Sequence, residues 1–521
     1  MHTARSGDGA GSASHVVDAA RRAGLDFLVI TDHNAEDAVE PPRYVGGVLV
    51  LTALEKSTDA GHALVFGLDQ MDFPFDGDPA TVLRDAADLG GFVALAHPAS
   101  AHPERRWSGA LGGAAVLELA SLGDADSWIA GAALPGLIAR YTFDPQGALL
   151  SHLRLSPAAL RLFDAERRRR PVAGFIGLDA HGGFAAGPVF VPAPSHLQIF
   201  RLARQHLQLD RPLTGDAARD GDEVLHALRA GHGYAGLDGL AEASSFSFTG
   251  TSATGEVAMG DAVPLEDGVT LAARAEAPPD TTLVLRRDGT EVARGETLAY
   301  DAHEAGSYRV EAHLDPRLVP GGGVLPWILS NPIDVYPRAV LQEREARMAA
   351  EIPPLDPPLP PDAETIARFD GAPLEAAWRL DRSPDSAARV ALEAGALRFD
   401  FTLGAGGSPH VSLCDWEARD LRGAAAVTFR VRADRRRRFD FQVRTADADA
   451  PGGVRIFRCS VRAETEWRRT GVRLDALRSY DDRAGAPDLA RVAGLYFLVE
   501  PAHLVRGGRG TLWIDDVAVA R

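Results

Sequence analysis

The feature that most constrains this chain is a change of hydrophobic pattern near residue 240 of its 521 residues. Before that point, short apolar runs such as DFLVITDHN (26–34) and GFVALAHPA (91–99) alternate with segments such as SHVVDAARRAG (14–24). Continuous apolar runs indicate strands buried on both faces, and apolar spacing of three and four ending in Gly indicates amphipathic helices. The first part of the chain is therefore predicted to be an α/β domain with barrel-like strand–helix repeats.

After about residue 244 the pattern becomes period-two strands separated by Gly/Asp turns, with RDGT (287–290) as a predicted hairpin turn. The proline-dense run EIPPLDPPLPP (351–361) is typical of a stiff linker. More alternating strands follow it. We predict a barrel over 1–243, a β-sandwich over 244–338, a helix and proline-rich linker over 339–363, and a jelly-roll β-sandwich over 364–521.

Composition limits the partners. The chain has 55 basic and 72 acidic side chains, a net charge of −17, so nucleic acid is not expected as a general partner. The arginine runs at 167–170 and 435–438 are expected to be exposed helix or loop faces. No run approaches the roughly 20 apolar residues of a membrane helix, so no membrane span is expected. Two cysteines, Cys414 and Cys459, exclude a thiolate metal site, and a single bridge between them stays open.

Histidine and carboxylate residues follow the predicted strands of the first domain. The carboxyl ends of strands in a barrel-like fold meet at one mouth, so we expect these side chains to share a pocket. Imidazoles and carboxylates without cysteine suit Zn, Mn or Fe, and a carboxylate can bridge two ions. The residues in question are Asp32, His33, Glu55, His97, Asp179 and His181.

The ordered set HT, D, TDHN, E, GH, HP and DAH over residues 1 to about 240 resembles the PHP (polymerase and histidinol phosphatase) family of metal-dependent phosphoesterases. The GHALVFG and LHALRAGHGYAG segments are similar to its carbaryl-hydrolase-like branch. The resemblance implies a distorted, TIM-like (β/α)7 barrel with two or three divalent ions. The family opens with His-x-His-Thr, and Met1 stands at the middle position here, so we expect either that a first strand and one histidine lie upstream or that this chain is a fragment that binds its first ion poorly. Asp8, in SGDG, is one residue later than the usual spacing.

Taken position by position, the resemblance implies three ion sites. These are His2, Glu55 and Asp179; Glu55, His62 and His97; and Asp8, His33 and His181. It gives catalytic roles to Asp32, His33, Glu55 and His97, with Asp32 orienting His33. Substrate contacts are expected from Arg5, His102, Arg105 and Arg106, because guanidinium groups bind phosphate oxygens in pairs.

These observations lead to three hypotheses. The first is a phosphoesterase that uses a metal-activated hydroxide on a small-molecule or glycan-linked phosphoester. The second is a carbamate or carboxylic ester hydrolase with the same site. The third is a catalytically impaired glycan-binding protein, since RFDG with Trp378 and the closing GTLWIDDVAVA resemble galactose-binding-like jelly rolls, and the middle domain resembles an immunoglobulin-like segment.

Overall fold

The computed structural model describes residues 1–68, 71, 74–103, 105–122, 134–151, 153, 155–186, 189–320, 326–352, 359–370, 378–480 and 485–521. The chain forms two compact units, Met1–Gln70 with Gly77–Pro353, and Met71–Asp76 with Pro354–Arg521. The predicted barrel and middle sandwich thus share the first unit. The centre of the predicted linker, 353–358, lies outside the described residues.

The first 240 residues combine strands and helices, but the predicted regular alternation is wrong over residues 27–66, where five strands follow one another without an α-helix. The helices are α1 Ala13–Ala23, α2 Pro79–Asp88, α3 Leu134–Phe143, α4 Pro145–Leu150, α5 Pro157–Arg169, α6 His196–Phe200 and α7 Ala217–Ala230. The strands are β1 Phe27–Ile30, β2 Arg43–Val45, β3 Val48–Thr52, β4 Leu54–Thr58, β5 Gly61–Phe66, β6 Phe92–Leu95, β7 Val116–Ser121, β8 Ala173–Gly177, β9 Phe184–Ala186, β10 Val189–Val191, β11 Arg204–Leu207 and β12 Gly233–Gly236.

These strands do not form one closed barrel among the described residues. The order β1-β3-β2 makes one sheet and β4-β5-β6-β7-β8 another. A parallel bridge between His33 and Glu55 joins β1 to the start of β4. The strands β4, β5 and β6 pair antiparallel, with a tight turn between β4 and β5 and helix α2 between β5 and β6, so the expected all-parallel repeat is wrong for this part.

A cleft of about 710 Å³ separates β1 from β11, with side chains such as Leu28, Phe175 and Leu207 along its walls. Met1 and His2 cross it at the carboxyl ends of the strands. The Thr31 amide donates to the Met1 carbonyl at 2.8 Å, and the His2 amide donates to the Ala180 carbonyl at 3.1 Å. The cleft therefore leads from an apolar interior to the strand ends where the candidate site lies.

The middle region is a mostly antiparallel β-sandwich, continuous with the first. Its strands are β13 Ser247–Ser252, β14 Gly255–Ala258, β15 Ala262–Pro264, β16 Val269–Arg274, β17 Thr282–Arg287, β18 Thr290–Gly295, β19 Leu298–Ala302, β20 Gly306–His313, β21 Pro326–Ser330 and β22 Ile333–Tyr336, followed by α8 Arg338–Ala350. The RDGT prediction is confirmed: Asp288 and Gly289 have φ of 51° and 85° between β17 and β18. Because β12 pairs with β21, one sheet runs from the first region into the sandwich.

Buried arginines hold these two regions together. Arg167 on α5 and Arg344 on α8 both pair with Asp334 of β22, at 3.0 and 2.9 Å, and all three are at most 4% exposed. Arg170 is fully buried and donates to the Ala114 and Leu111 carbonyls. The expectation of exposed runs is therefore wrong for Arg167, which lies on the inward face of α5, and for Arg170, which follows that helix in an extended conformation and turns inward.

The last region is a β-sandwich of two six-stranded antiparallel sheets around an aromatic core, as predicted. Its strands are β23 Asp362–Ala367, β24 Trp378–Arg382, β25 Ala387–Glu393, β26 Ala396–Thr402, β27 Val411–Asp415, β28 Ala426–Ala433, β29 Arg437–Ala446, β30 Val454–Ala463, β31 Arg468–Arg473, β32 Arg478–Ser479, β33 Val492–Val499 and β34 Arg509–Ala520. In the second arginine run, Arg437 and Arg438 are buried, contrary to expectation. Cys414 and Cys459 are free thiols.

Across the described residues, no helix has both the length and the apolar character needed to cross a membrane.

Candidate metal centre

The candidate ligands come together at the carboxyl ends of the strands. Three residues at these ends, Asn34, His97 and Asp179, have left-handed backbone conformations with φ of 48°, 30° and 42°. Such conformations are uncommon for residues other than Gly and persist where the surrounding structure holds them. Here the chain turns sharply at the strand end, which brings His97 and Asp179 into the common pocket.

The first ligand group joins the amino-terminal segment to two strands. His2 Nε2 lies 2.9 Å from Asp179 Oδ1 and 3.2 Å from Glu55 Oε2. His2 and Glu55 are buried. Their donor atoms lie within 4.8 Å of one another and could hold one cation.

The second group surrounds the other oxygen of Glu55. Glu55 Oε1 is 2.8 Å from His62 Nδ1 and 3.5 Å from His97 Nε2. His33 Nδ1 is also near this oxygen, at 3.8 Å. Glu55 thus presents one oxygen to each of two groups, which is the arrangement that a bridging carboxylate requires.

The third group lies closer to solvent. Asp8 Oδ2 is 3.3 Å from His181 Nε2 and 3.5 Å from His33 Nε2, and the Asp8 side chain is 51% exposed. The His2 ring stacks between the rings of His33 and His181, with centroids 4.5 and 4.4 Å away. The structure therefore brings together all eight residues expected to bind metal.

The donor set fits divalent ions. His2 Nε2 and His33 Nδ1 are buried and make no hydrogen bond of good geometry, although carboxylates are nearby. Buried polar atoms are normally partnered, so two imidazole nitrogens that lack a hydrogen bond and lie close to carboxylates fit a site that could bind a cation. Imidazole and carboxylate donors suit Zn, Mn or Fe.

Backbone carbonyls orient two of the histidines. His97 Nδ1 lies 3.2 Å from the Arg105 carbonyl, and His181 Nδ1 lies 2.8 Å from the Asp179 carbonyl. A carbonyl oxygen can only accept, so Nδ1 carries the proton in both rings. In the neutral form of each ring, Nε2 then has a lone pair available for a metal ion, as metal-binding histidines require.

Electrostatics in the metal-free site favour protonated histidine beside ionised carboxylate. Burial alone would lower the pKa of His2, but the carboxylates of Asp179 and Glu55 raise it to about 9. The pKa of His97 is likewise about 9, against burial, because of Glu55. Burial would raise the pKa of Glu55, yet His2, His62 and His97 hold it well below its ordinary value. Protons on histidine thus occupy the position that a cation would take.

The pKa values of two further carboxyl groups, Asp8 and Glu118, are shifted in opposite directions. Burial would raise the pKa of Asp8, but His181 and His33 lower it to about 2. Glu118, in the middle of β7, accepts from the His97 amide at 2.5 Å. Burial raises the pKa of Glu118 to about 8. Glu118 was not among the predicted site residues, because it lies within a strand and not at its end.

Asp32 supports the loop that carries the ligands. Its carboxylate accepts from the Thr3 amide at 2.6 Å and the Thr3 hydroxyl at 2.7 Å. It belongs to none of the ligand groups found among the described residues. Ser121 and His196 also support the site, since Ser121 Oγ donates to Asp179 and His196 Nε2 lies 3.1 Å from the His2 carbonyl.

The residues expected to contact substrate lie on surrounding loops. Arg105 and Arg106 are exposed and follow His97, and His102 is in the same loop. The buried Trp107 anchors this loop by donating to the Ala110 carbonyl at 2.9 Å. Arg5, near Asp8 in sequence, pairs with Asp37 at 2.7 Å, and both side chains are more than half exposed.

Comparison with known proteins identifies no family. No family model matches the chain, and no curated protein is significantly similar to it. Among solved structures, the family 11 carbohydrate-binding module from Clostridium thermocellum, in complex with a β-1,3-1,4-mixed-linked tetrasaccharide, is 12% identical over 30% of this chain and 94% of that chain, with a TM-score of 0.25. A family 30 carbohydrate-binding module is 15% identical over 27% of this chain and 94% of that one, with a TM-score of 0.21. TmCBM61 in complex with β-1,4-galactotriose is 17% identical over 28% and 89%, with a TM-score of 0.18. Similarity at this level says nothing about what this chain binds.

Proposed function

We propose that this chain is a metal-dependent hydrolase of phosphoesters, with two or three divalent ions held at the carboxyl ends of the strands. The observation that carries the proposal is the overlap of the ligand groups. Glu55 belongs to two of these groups, and so does His2. The finer fold belongs to the same proposal: the first region is an open, distorted relative of the PHP barrel. The motif order along residues 1 to about 240 supports this reading.

Divalent ions in such a site lower the pKa of bound water and neutralise charge that develops on an ester oxygen. The residues of the chain have separate tasks. Glu55 supplies an oxygen to each of two neighbouring groups, and Asp179 completes the first group with His2. His97, oriented by the Arg105 carbonyl, directs Nε2 toward Glu55.

A phosphoester is favoured by the charge around the site. Arg5, Arg105 and Arg106 lie on loops near the ligand groups, and their guanidinium groups can pair with phosphate oxygens. The net charge of −17 belongs to the whole chain and does not prevent a local cluster of arginines from binding phosphate. A carbamate or carboxylic ester is the alternative substrate for the same site, because the same chemistry serves either electrophile.

The test is elemental analysis of the purified full chain, combined with assays on an aryl phosphate, an aryl phosphodiester and an aryl carbamate. We expect two or three equivalents of metal and turnover of a phosphoester that Glu55→Gln abolishes. Glu40→Gln is the matched control, since Glu40 is exposed, lies outside the ligand groups and pairs with Arg43. Preference for the carbamate would select the alternative, and absence of bound metal from the unaltered chain would overturn the proposal.

A second candidate function concerns the last region. We propose that its sheet containing β27 and β32 binds carbohydrate. Trp416, directly after β27, is 46% exposed, and Tyr480, directly after β32, is 49% exposed. Exposed aromatic rings at a sheet are suited to stacking on sugar faces, and Arg379 and Arg458 approach these rings at 5.3 and 5.0 Å.

Affinity electrophoresis in a soluble β-1,3-1,4-mixed-linked glucan tests this candidate. We expect retardation of the full chain that Trp416→Ala and Tyr480→Ala reduce. Trp467→Ala is the control, because Trp467 is 36% exposed but lies against Arg430 and Arg432 of the other sheet, away from the proposed binding sheet. If all the variants migrate like the unaltered chain, the candidate fails.

A further inference from the structure

Ser6 connects two of the ligand groups, although it is not itself a metal ligand. Its hydroxyl oxygen lies 2.9 Å from His2 Nδ1 and 2.9 Å from the His33 amide nitrogen. His2 belongs to the first group and His33 to the third. One side chain therefore contacts both a ring and a backbone amide of the site.

The position of Ser6 is fixed by its own turn. Ala4–Ser6 is a single 3-10 turn in which the Ser6 amide donates to the Thr3 carbonyl at 3.1 Å and the Thr3 side chain accepts from the Arg5 amide. Asp32 holds Thr3 through two hydrogen bonds. The chain leaves the turn through Gly7, with φ of 85°, a conformation that Gly adopts without strain.

The hydrogen-bond directions around Ser6 can be worked out. An amide only donates, so Ser6 Oγ accepts from His33 and uses one of its two lone pairs. The second lone pair is free to accept from His2 Nδ1. His2 Nε2 points at the carboxylates of Glu55 and Asp179, and only a proton or a cation can lie between them.

A cation at this position requires an unprotonated Nε2, and the ring proton must then be on Nδ1. Ser6 Oγ is the acceptor within reach of that proton. The carbonyls of Arg105 and Asp179 do the same for His97 and His181. Ser6 would thus complete a set in which each of three site histidines has an oxygen acceptor at Nδ1.

We propose that Ser6 is a positioning residue of the metal centre, which holds His2 in the Nδ1-protonated form and couples the first ligand group to the third through the His33 amide. This inference rests on the proposed function. It does not follow from the ligand assignment, because Ser6 is not one of the histidine and carboxylate residues of the three groups.

The experiment is calorimetric titration of the metal-free full chain with Zn²⁺ alone, for the unaltered protein and for Ser6→Ala, Ser6→Thr and Ser14→Ala. Loss of a residue that orients a ligand typically costs about 10- to 100-fold in metal affinity. We expect a loss of that size for Ser6→Ala in at least one equivalent. Ser6→Thr, which retains the hydroxyl, should bind within about threefold of the unaltered chain. Ser14→Ala is the matched control, because the Ser14 side chain is exposed, and its hydroxyl bonds to that of Ser12, away from the ligand groups.

A second readout is the visible absorption of the Co²⁺-loaded chain, which reports ligand geometry and which a purely structural role would leave unchanged. If Ser6→Ala matches the unaltered chain in both zinc affinity and cobalt spectrum, the inference is overturned. Should Ser6→Ala fail to fold, Ser6→Gly against Ser6→Thr makes the same comparison, because glycine also removes the acceptor oxygen and adds no metal ligand. If the unaltered chain binds no zinc, the proposed function fails as well, and the two failures are thus distinguishable.

Discussion

The metal-free chain should lose stability as pH rises from about 6.5 to about 9, because folding favours the protonated form of His2. Its pKa is about 9 in the folded chain and about 6.5 in the unfolded one. A group whose pKa is raised by folding contributes its full stabilisation below the unfolded value, and the contribution is lost as pH passes through the folded value. This difference corresponds to about 3 kcal/mol for His2, at 1.36 kcal/mol for each pH unit.

The assay is urea unfolding in the presence of a chelator at pH 6, 7.5 and 9, followed by circular dichroism. The difference between the unaltered chain and His2→Asn isolates the contribution of His2, because Glu118, with its pKa raised by burial, changes stability in the same direction up to about pH 8. Glu55→Gln should flatten the pH dependence further, since Glu55 raises the pKa of both His2 and His97.

His226→Asn is the matched control, because His226 is exposed on α7 and should leave the pH dependence unchanged. The reasoning is refuted if His2→Asn loses as much stability between pH 6 and 9 as the unaltered chain. It is also refuted if stability rises over this interval.

Three further predictions concern packing. Asp334→Ala leaves the buried guanidinium groups of Arg167 and Arg344 without their carboxylate, so the free energy of unfolding of the first unit should fall by about 3–5 kcal/mol in urea denaturation. The control Glu343→Ala, at an exposed i,i+4 pair, should lower it by about 0.5 kcal/mol or less. Phe497→Ala removes a fully buried ring with four other aromatic rings between 5.0 and 6.1 Å away, and calorimetry should show the last region destabilised by about 3–5 kcal/mol. Gly177→Ala would place a methyl group on the buried carboxylate of Glu118, beneath the site. We expect the free energy of unfolding to fall by about 1–3 kcal/mol and zinc binding, measured by titration, to weaken. Unchanged values would contradict this expectation.

The candidate site could be predicted because its ligands follow strands. His33, His97 and Asp179 each come directly after an apolar run, and strand ends of an α/β domain meet in space. The sequence could not reveal what holds these ligands. Ser6 and Ser121 look like ordinary loop and strand residues, and their partners are 27 and 58 positions away.

The fold was predictable in its parts, and less so in how the parts connect. Period-two alternation predicts the sandwiches, since one face of each strand is buried. It does not predict that β12 pairs with β21, because that pairing depends on backbone edges and not on side-chain pattern. The burial of Arg167 was missed for a related reason. Its partner Asp334 lies 167 residues away, and without it a run of arginines is indistinguishable from an exposed face.

The most direct test of the central claim is an anomalous difference map, recorded at the zinc edge, from crystals of the full chain grown with Zn²⁺. We expect two or three peaks at the strand ends, one of them between His2, Glu55 and Asp179, with Zn–N distances of about 2.0–2.1 Å. A map with no peak near Glu55 at saturating zinc would contradict it.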